Sequence, residues 1–164
     1  MERAIGMQGF TLREAKSDDA RFITQMVRAM VEDMAHYGGY APASDAAAWE
    51  KIRATIADDL NGNNVRYVIV ESAERDQLGI AGAELITLSG AFAAKQTLHI
   101  SVVYVRPPFR RAGIANALVA SLLDWGRAAG AEQCTLNVLS GNPARTLYEK
   151  HGFSMFELKM SCPL

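Results

Sequence analysis

Apolar positions along the chain recur at two periods, and the switch between them organises it. Phe10 to Glu14 reads as a first strand. Ser17, followed by Asp18 and Asp19, is suited to cap a helix in which Ile23, Met26, Val27, Met30 and Met34 recur at helical spacing. The stretch from His36 through Tyr37, Gly38, Gly39, Tyr40 and Ala41 to Pro42 stops that helix. Ser44 opens a second helix with Trp49, Ile52, Ile56 and Leu60 on one side, ended by Asn61-Gly62-Asn63-Asn64.

The period then shortens to that of strands. Val65 to Glu71, Leu78 to Leu88 and Thr97 to Val105 follow one another through short connections, which predicts antiparallel pairing. Arg106-Pro107-Pro108 cannot continue a central strand. A helix is expected from about Gly113 to Ala129, with Ile114, Leu118, Leu122 and Trp125 inward. Cys134 to Leu139 reads as a strand, Asn142-Pro143 opens a short helix that Gly152 ends, and Phe153 to Met160 reads as a last strand. This order predicts a mixed α/β (α+β) domain around one sheet, with 1–164 as one unit.

Composition narrows the function classes. The 164 residues are 49 % apolar, enough for a core without staples. The formal net charge of -1 argues against a protein held to nucleic acid by bulk charge. No apolar run reaches the ~18 residues of a membrane span, and the start lacks the regions of a signal peptide. The two cysteines, Cys134 and Cys162, make no metal pattern, so no metal is expected and a reduced, cytoplasmic location is the default. The methionine stripe of the first helix reads as packing, Asp58 and Asp59 as solvated helix charges, Cys134 as core, and His36 and His151 as surface groups.

The segment from Val105 through Arg106, Pro107, Pro108, Phe109, Arg110, Arg111, Ala112, Gly113 and Ile114 to Ala115 leaves a strand, turns sharply and enters a helix. A helix start presents unpaired N–H groups and the positive end of the helix dipole, both suited to an anion. Gly113 and Ala115 leave room for a phosphate, and Arg110 and Arg111 add charge. Taken alone, the segment reads equally well as a solvated loop with two surface arginines. It is neither the nucleotide P-loop nor the dinucleotide fingerprint.

Two motifs then carry a resemblance. Arg110, Gly113 and Ala115 match R/Q-x-x-G-x-G/A, and Val105, Pro107, Phe109 and Arg110 match the V-x-P-x-aromatic-R that precedes it. About 30 residues on, Asn142 to Phe153 resembles N-x-x-A-x-x-L-Y-x-x-x-G-F, with the alanine one place early. Together they resemble the GNAT superfamily of acetyl-CoA-dependent N-acetyltransferases. The resemblance implies a mixed, mostly antiparallel central sheet of about six to seven strands flanked by helices. It also implies acetyl-CoA as cosubstrate. The backbone of Val103, Tyr104 and Val105 would pair with the pantetheine arm. The amides of Arg111, Ala112, Gly113, Ile114, Ala115 and Asn116 would take the pyrophosphate. Asn142 and Tyr148 would lie near the thioester.

In this family an amine attacks the thioester directly, so the site needs a base, an oxyanion donor and an acid. Tyr148 is the candidate acid, beside a reading as a packing aromatic. The strand before the loop holds no Asp or Glu, and His99 is the candidate base, beside a reading as a histidine satisfied within the sheet. Period 2 predicts His99, Ser101, Val103 and Val105 on one face. Glu84, on the neighbouring strand, is the reserve base. Acceptor choice is expected in the loop after the first helix and in Ser89 to Gln96, with Tyr37, Tyr40 and Phe92 as contacts. The favoured acceptor is a small-molecule amine. Protein N-termini or lysines, and a non-catalytic acyl-CoA sensor, are the alternatives. A homodimer is compatible with the resemblance, although the sequence marks no interface.

Overall fold

The computed structural model describes residues 9–38, 41–91, 93 and 95–162. Chain order is β1 (Phe10–Glu14), α1 (Ala20–Ala35), α2 (Ala46–Asp59), β2 (Val65–Ser72), β3 (Gln77–Leu88), β4 (Lys95–Val105), α3 (Ile114–Ala128), β5 (Gln133–Leu136) and α4 (Arg145–Lys150). The strands form one sheet in the order β1-β2-β3-β4-β5. All neighbours are antiparallel except β4 and β5, which the α3 crossover makes parallel.

Local chemistry sets the element starts. Helix α1 is entered through a turn at Ser17–Asp19, where the Asp19 carboxylate accepts the Lys16 N–H at 2.8 Å. Ser17, expected as the cap, instead donates to Asn61 Oδ1 at 3.0 Å. Arg13 grips Asp19 through both terminal nitrogens, at 2.7 and 2.8 Å, and donates Nε to Glu71 at 2.7 Å. One guanidinium thereby ties β1, β2 and the entry to α1, and holds the Asp19 carboxyl below its ordinary value. Helix α2 is capped by Asp45, one residue after the expected Ser44, with Ala47 N–H donating at 2.9 Å.

Helices cover both faces. On one, Ile114, Leu118, Val119 and Leu122 of α3 pack against Val68, Val70, Leu98, Ile100 and Val105, with Leu147, Tyr148 and Phe153 at the margin. On the other, α1 and α2 bring Ile23 and Ile56 against Tyr67, Ile69, Ile80, Val102 and Tyr104. The Tyr67 ring lies over Gly82, where an added Cβ would sit 2.6 Å from it; only glycine lets this ring seat on the sheet.

Two features depart from expectation. The sheet has five strands among the described residues, not six to seven. Phe153 to Met160, expected as a last strand, forms no strand of the sheet among the described residues and is largely exposed. Alternation marks a segment that can be a strand, but a strand also needs a partner edge, and among the described residues this one is paired with none of the five strands. The other feature is a bulge in β4. Gly82 pairs with Val102 and Ala83 with Ile100, leaving Ser101 as an extra residue.

Candidate active site

The bulge at Ser101 rearranges the site the sequence predicts. It breaks the period of 2 in β4, so His99 does not share a face with Val103 and Val105. Leu98 and Ile100 before it, and Val103 and Val105 after it, all pack on the α3 side. His99 faces the α1/α2 side with Val102 and Tyr104. There its Nδ1 meets Thr135 Oγ1 of β5 at 3.0 Å. When Nδ1 carries the proton and Thr135 accepts it, Nε2 keeps the lone pair a base needs. Glu84 sits directly opposite His99 in the register, so both base candidates share one face of the sheet.

Strand β5 pairs with β4 only from Thr97 to Ile100. Beyond that point β4 runs on through Ser101, Val102, Val103, Tyr104 and Val105, while β5 ends at Leu136. The two strands part, and this stretch of β4 has no strand on its β5 side among the described residues. An extended arm can add to such an edge through backbone hydrogen bonds.

The loop after β4 leads into α3 with left-handed residues at Arg111 (φ 67) and Gly113 (φ 81). For Arg111 this conformation costs on the order of 1 kcal/mol, strain typical of a functional backbone. The amide N–H groups of residues 111 to 116 have no acceptor among the described residues. A run of such N–H groups at a helix start is suited to an anion. Arg110 is committed elsewhere: Nε donates to the Val105 carbonyl at 2.9 Å, and Nη2 to Asp33 of α1. Its guanidinium also lies over the Tyr104 ring, 5.4 Å from the centroid. The Arg110 side chain thus braces the strand end against α1 and is not aimed at the helix start, as the sequence suggests.

Helix α4 contributes Tyr148, part-buried against the core on the α3 side. Its ring meets Phe153 edge-on, centroids 6.0 Å apart, and burial raises the phenol above its ordinary value of 10.0. Asn142 Oδ1 accepts the Ala144 N–H at 2.9 Å, which shapes the turn into α4 and leaves the amide nitrogen as donor. The turn after α1 approaches this point, since a Cβ on Gly141 would lie 3.8 Å from the Tyr37 carbonyl. Tyr37 is 38 % exposed, the condition an outer contact needs. Tyr40 and Phe92, the other expected acceptor contacts, lie outside the described residues.

A matching family model, described as the Acetyltransferase (GNAT) family, covers residues 24–153. The chain belongs to the GNAT acetyltransferase family. A stretch of 59 residues is 39 % identical to the human Cysteine-rich protein 2-binding protein. That stretch is 36 % of this chain and 7 % of the relative, so the match spans a small fraction of a much longer protein. Among solved structures, a predicted acetyltransferase from Clostridium acetobutylicum with acetyl-CoA aligns with a TM-score of 0.77 and 17 % identity, covering 94 % of this chain and 96 % of that one. The enzyme AAC(6')-Iy, in complex with the bisubstrate analog CoA-S-monomethyl-acetylneamine, aligns with a TM-score of 0.73 and 16 % identity over 94 % and 97 %.

The GNAT chain also holds residues that its sequence does not bring forward. A cavity of about 320 Å³ opens on the α1/α2 side, with Val27, Met30, Ile52 and Tyr67 in its wall and Lys51 and Asp59 as its charges. It ends on Ser101 and Val102, where β4 leaves β5. Asp59 is therefore not simply a solvated helix charge. Burial, reinforced by Glu84 and then Asp58, raises its carboxyl above the ordinary value. Burial, with Asp59 and Glu84 behind it, pushes the Tyr67 phenol up to about 12. A sequence signal for Asp59 exists: it falls three residues after Ile56 and seven after Ile52, on the inward stripe of α2.

Other side chains are quieter. Burial pushes the Cys134 thiol up to about 11, so it stays neutral and is no nucleophile near pH 7. His151, expected at the surface, has its Nε2 buried without a partner among the described residues. Among those residues no group of three or more His, Cys, Asp or Glu could hold a metal ion, and no helix is long and apolar enough to cross a membrane.

Proposed function

We propose that this GNAT protein transfers the acetyl group of acetyl-CoA to a small-molecule primary amine that attacks the thioester directly. The observation that carries this reading is where the Asp59 cavity ends. It reaches from the α1/α2 face to Ser101 and Val102, the point at which the sheet opens. Its volume is that of a small-molecule site, roughly 300–1,000 Å³. Its part-buried Asp59 carboxyl, with Glu84 close by, suits an ammonium.

The donor side fits acetyl-CoA through the backbone. The N–H groups of Arg111 to Asn116 suit the pyrophosphate, and the free edge of Val103, Tyr104 and Val105 suits the pantetheine arm. The Asn142 amide nitrogen is a further donor beside that arm. Acetyl-CoA supplies an acyl group already activated as a thioester. Asp59 and Glu84 hold the incoming ammonium on the opposite face. His99, fixed by Thr135, takes its proton directly or through water, and Glu84 is the second candidate for that step. Tyr148 donates a hydrogen bond to the departing sulfur from the α3 side. Tyr37, exposed beside Gly141, makes an outer acceptor contact.

The test is release of free thiol from acetyl-CoA with amines, amino acids, aminoglycosides and short peptides as acceptors. Release driven by small amines supports the proposal. Release driven only by peptides transfers the activity to protein acceptors, and tight acetyl-CoA binding without release under any acceptor leaves a sensor.

Two variants address the acceptor side. Asp59→Asn is expected to raise KM for a cationic acceptor about tenfold or more, the weight of one lost charged hydrogen bond. The raised folded-state value means that ionising Asp59 costs stability: its contribution is full below the unfolded value and lost as pH rises through the raised one. Asp59→Asn should therefore melt no lower than wild type at neutral pH. An unchanged KM, or a large fall in Tm, would assign Asp59 to the scaffold. His99→Ala is expected to flatten the acidic limb of the pH–rate profile and cost about 10²-fold in kcat. A limb that stays in place moves the base to Glu84 or to an amine that arrives neutral.

A further inference from the structure

Helix α2 carries two opposite charges into the wall of one cavity. Lys51 and Asp59 both line it, together with the apolar side chains of Val27, Met30 and Ile52. Both charges lie within the helix, Ala46–Asp59, so about 12 Å of helix axis separates residue 51 from residue 59. Thr55, midway between them, donates its hydroxyl to the Lys51 carbonyl at 3.1 Å, so its proton is spent within the helix.

Asp59 belongs to the end where the sheet opens. It acts on the Tyr67 phenol, Tyr67 is in register with Gly82, and Gly82 pairs with Val102, on which the cavity ends. Burial and Glu84 both oppose the charged form of Asp59, and an arriving ammonium relieves that opposition. Lys51 is exposed toward the other end of α2. Its helical neighbours at three and four residues are Ala47, Ala48, Ala54 and Thr55, none of which can neutralise it. Carboxylates near the two helices are engaged elsewhere: Glu50 with Arg53, Glu32 with Arg28, and Asp33 with Arg110. Lys51 enters no ion pair among the described residues.

We propose that the acceptor is an ω-amino acid, a linear primary amine with a carboxylate at its far end; this rests on reading the cavity as the acceptor site. The ammonium meets Asp59 and Glu84 beside the opening of the sheet, the methylenes run over Val27, Met30 and Ile52, and the carboxylate meets Lys51. An α-amino acid has both charges on one carbon and does not span the distance. A diamine sets its second ammonium against Lys51 and is repelled. In the transfer, the amine nitrogen bonds the acetyl carbon as the thioester C–S bond breaks. The thiol leaves protonated, and one ammonium proton passes through the base to solvent.

Thiol release from acetyl-CoA is compared for ε-aminocaproate, hexylamine and hexamethylenediamine. The ratio of kcat/KM between acceptors within each protein is the quantity read, since it is independent of how much enzyme is folded. Wild type should prefer ε-aminocaproate to hexylamine, and hexylamine to the diamine per amino group, each by about threefold at low ionic strength, the weight of one exposed charge pair. Added salt should shrink both preferences. Lys51→Arg should keep the order, Lys51→Ala should remove the preferences, and Lys51→Glu should place the diamine first. β-Alanine should gain nothing over propylamine, because its carboxylate falls short of Lys51. Release from hexylamine with ratios that neither Lys51→Ala nor Lys51→Glu moves overturns this proposal and leaves the acceptor site standing. An equal preference for β-alanine overturns it too. No release from any small amine overturns the acceptor reading itself, and this proposal with it.

Discussion

Gly113→Glu is expected to abolish acetyl-CoA binding while leaving the fold in place. Gly113 holds φ 81 at the head of α3, where an L side chain costs about 1–2 kcal/mol. A carboxylate at a helix N-terminus recovers roughly 0.3–1 kcal/mol of that through the dipole, so the melting temperature should fall only slightly. The loss lies in the ligand. A fixed negative charge beside the N–H groups of residues 111 to 116 occupies and repels from the place proposed for the pyrophosphate. Losing even two charge-assisted hydrogen bonds at about 1.5–3 kcal/mol each lowers affinity by about 100-fold or more. Isothermal titration calorimetry with acetyl-CoA reads this directly. Gly113→Ala separates conformation from charge, since it shares the strained φ and should lose far less. Unchanged affinity in the glutamate variant would remove the α3 start from the donor site.

Tyr148→Phe should lower kcat by about 10²-fold or more while KM for acetyl-CoA stays within about twofold. Only an oxygen is removed. The edge-on contact with Phe153 and the packing on the α3 side remain, so stability should hold. Burial holds the Tyr148 phenol above its ordinary value, and wild-type activity should therefore show no loss from Tyr148 ionisation around neutral pH. Stopped-flow thiol release with saturating acceptor is the measurement. Equal rates for variant and wild type would leave Tyr148 as a packing aromatic.

Much of this architecture is legible in the amino-acid sequence. The helical stripes of α1 and α3, the three central strands and the loop at Val105 to Ala115 follow from periodicity and from proline and glycine placement, all local signals. The fate of Phe153 to Met160 is not legible. Alternation describes the segment's two faces but says nothing about the edge it meets, and pairing is a long-range property. The bulge at Ser101 escapes for a related reason. One extra residue leaves no mark on composition, yet it moves His99 to the face opposite Val103 and Val105. Arg110 misleads because charge near an anion site reads as ligand-directed until its geometric partners, Val105 and Asp33, are known. Asp59 is within reach of sequence reasoning when its place on the inward stripe of α2 is weighed above its pairing with Asp58.

The N–H groups at the start of α3 and the open edge of β4 are main-chain features, whereas Asp59, Lys51, Met30 and Tyr67 line the cavity with side chains. The two sides therefore differ in how mutation can reach them. Backbone donors survive most substitutions and yield only to changes that bend the chain or add charge, so the donor requirement is resistant to drift. The cavity proposed for the acceptor changes with almost any exchange along α1 or α2. One scaffold can thus keep a fixed acyl source while its acceptor range is rewritten a residue at a time.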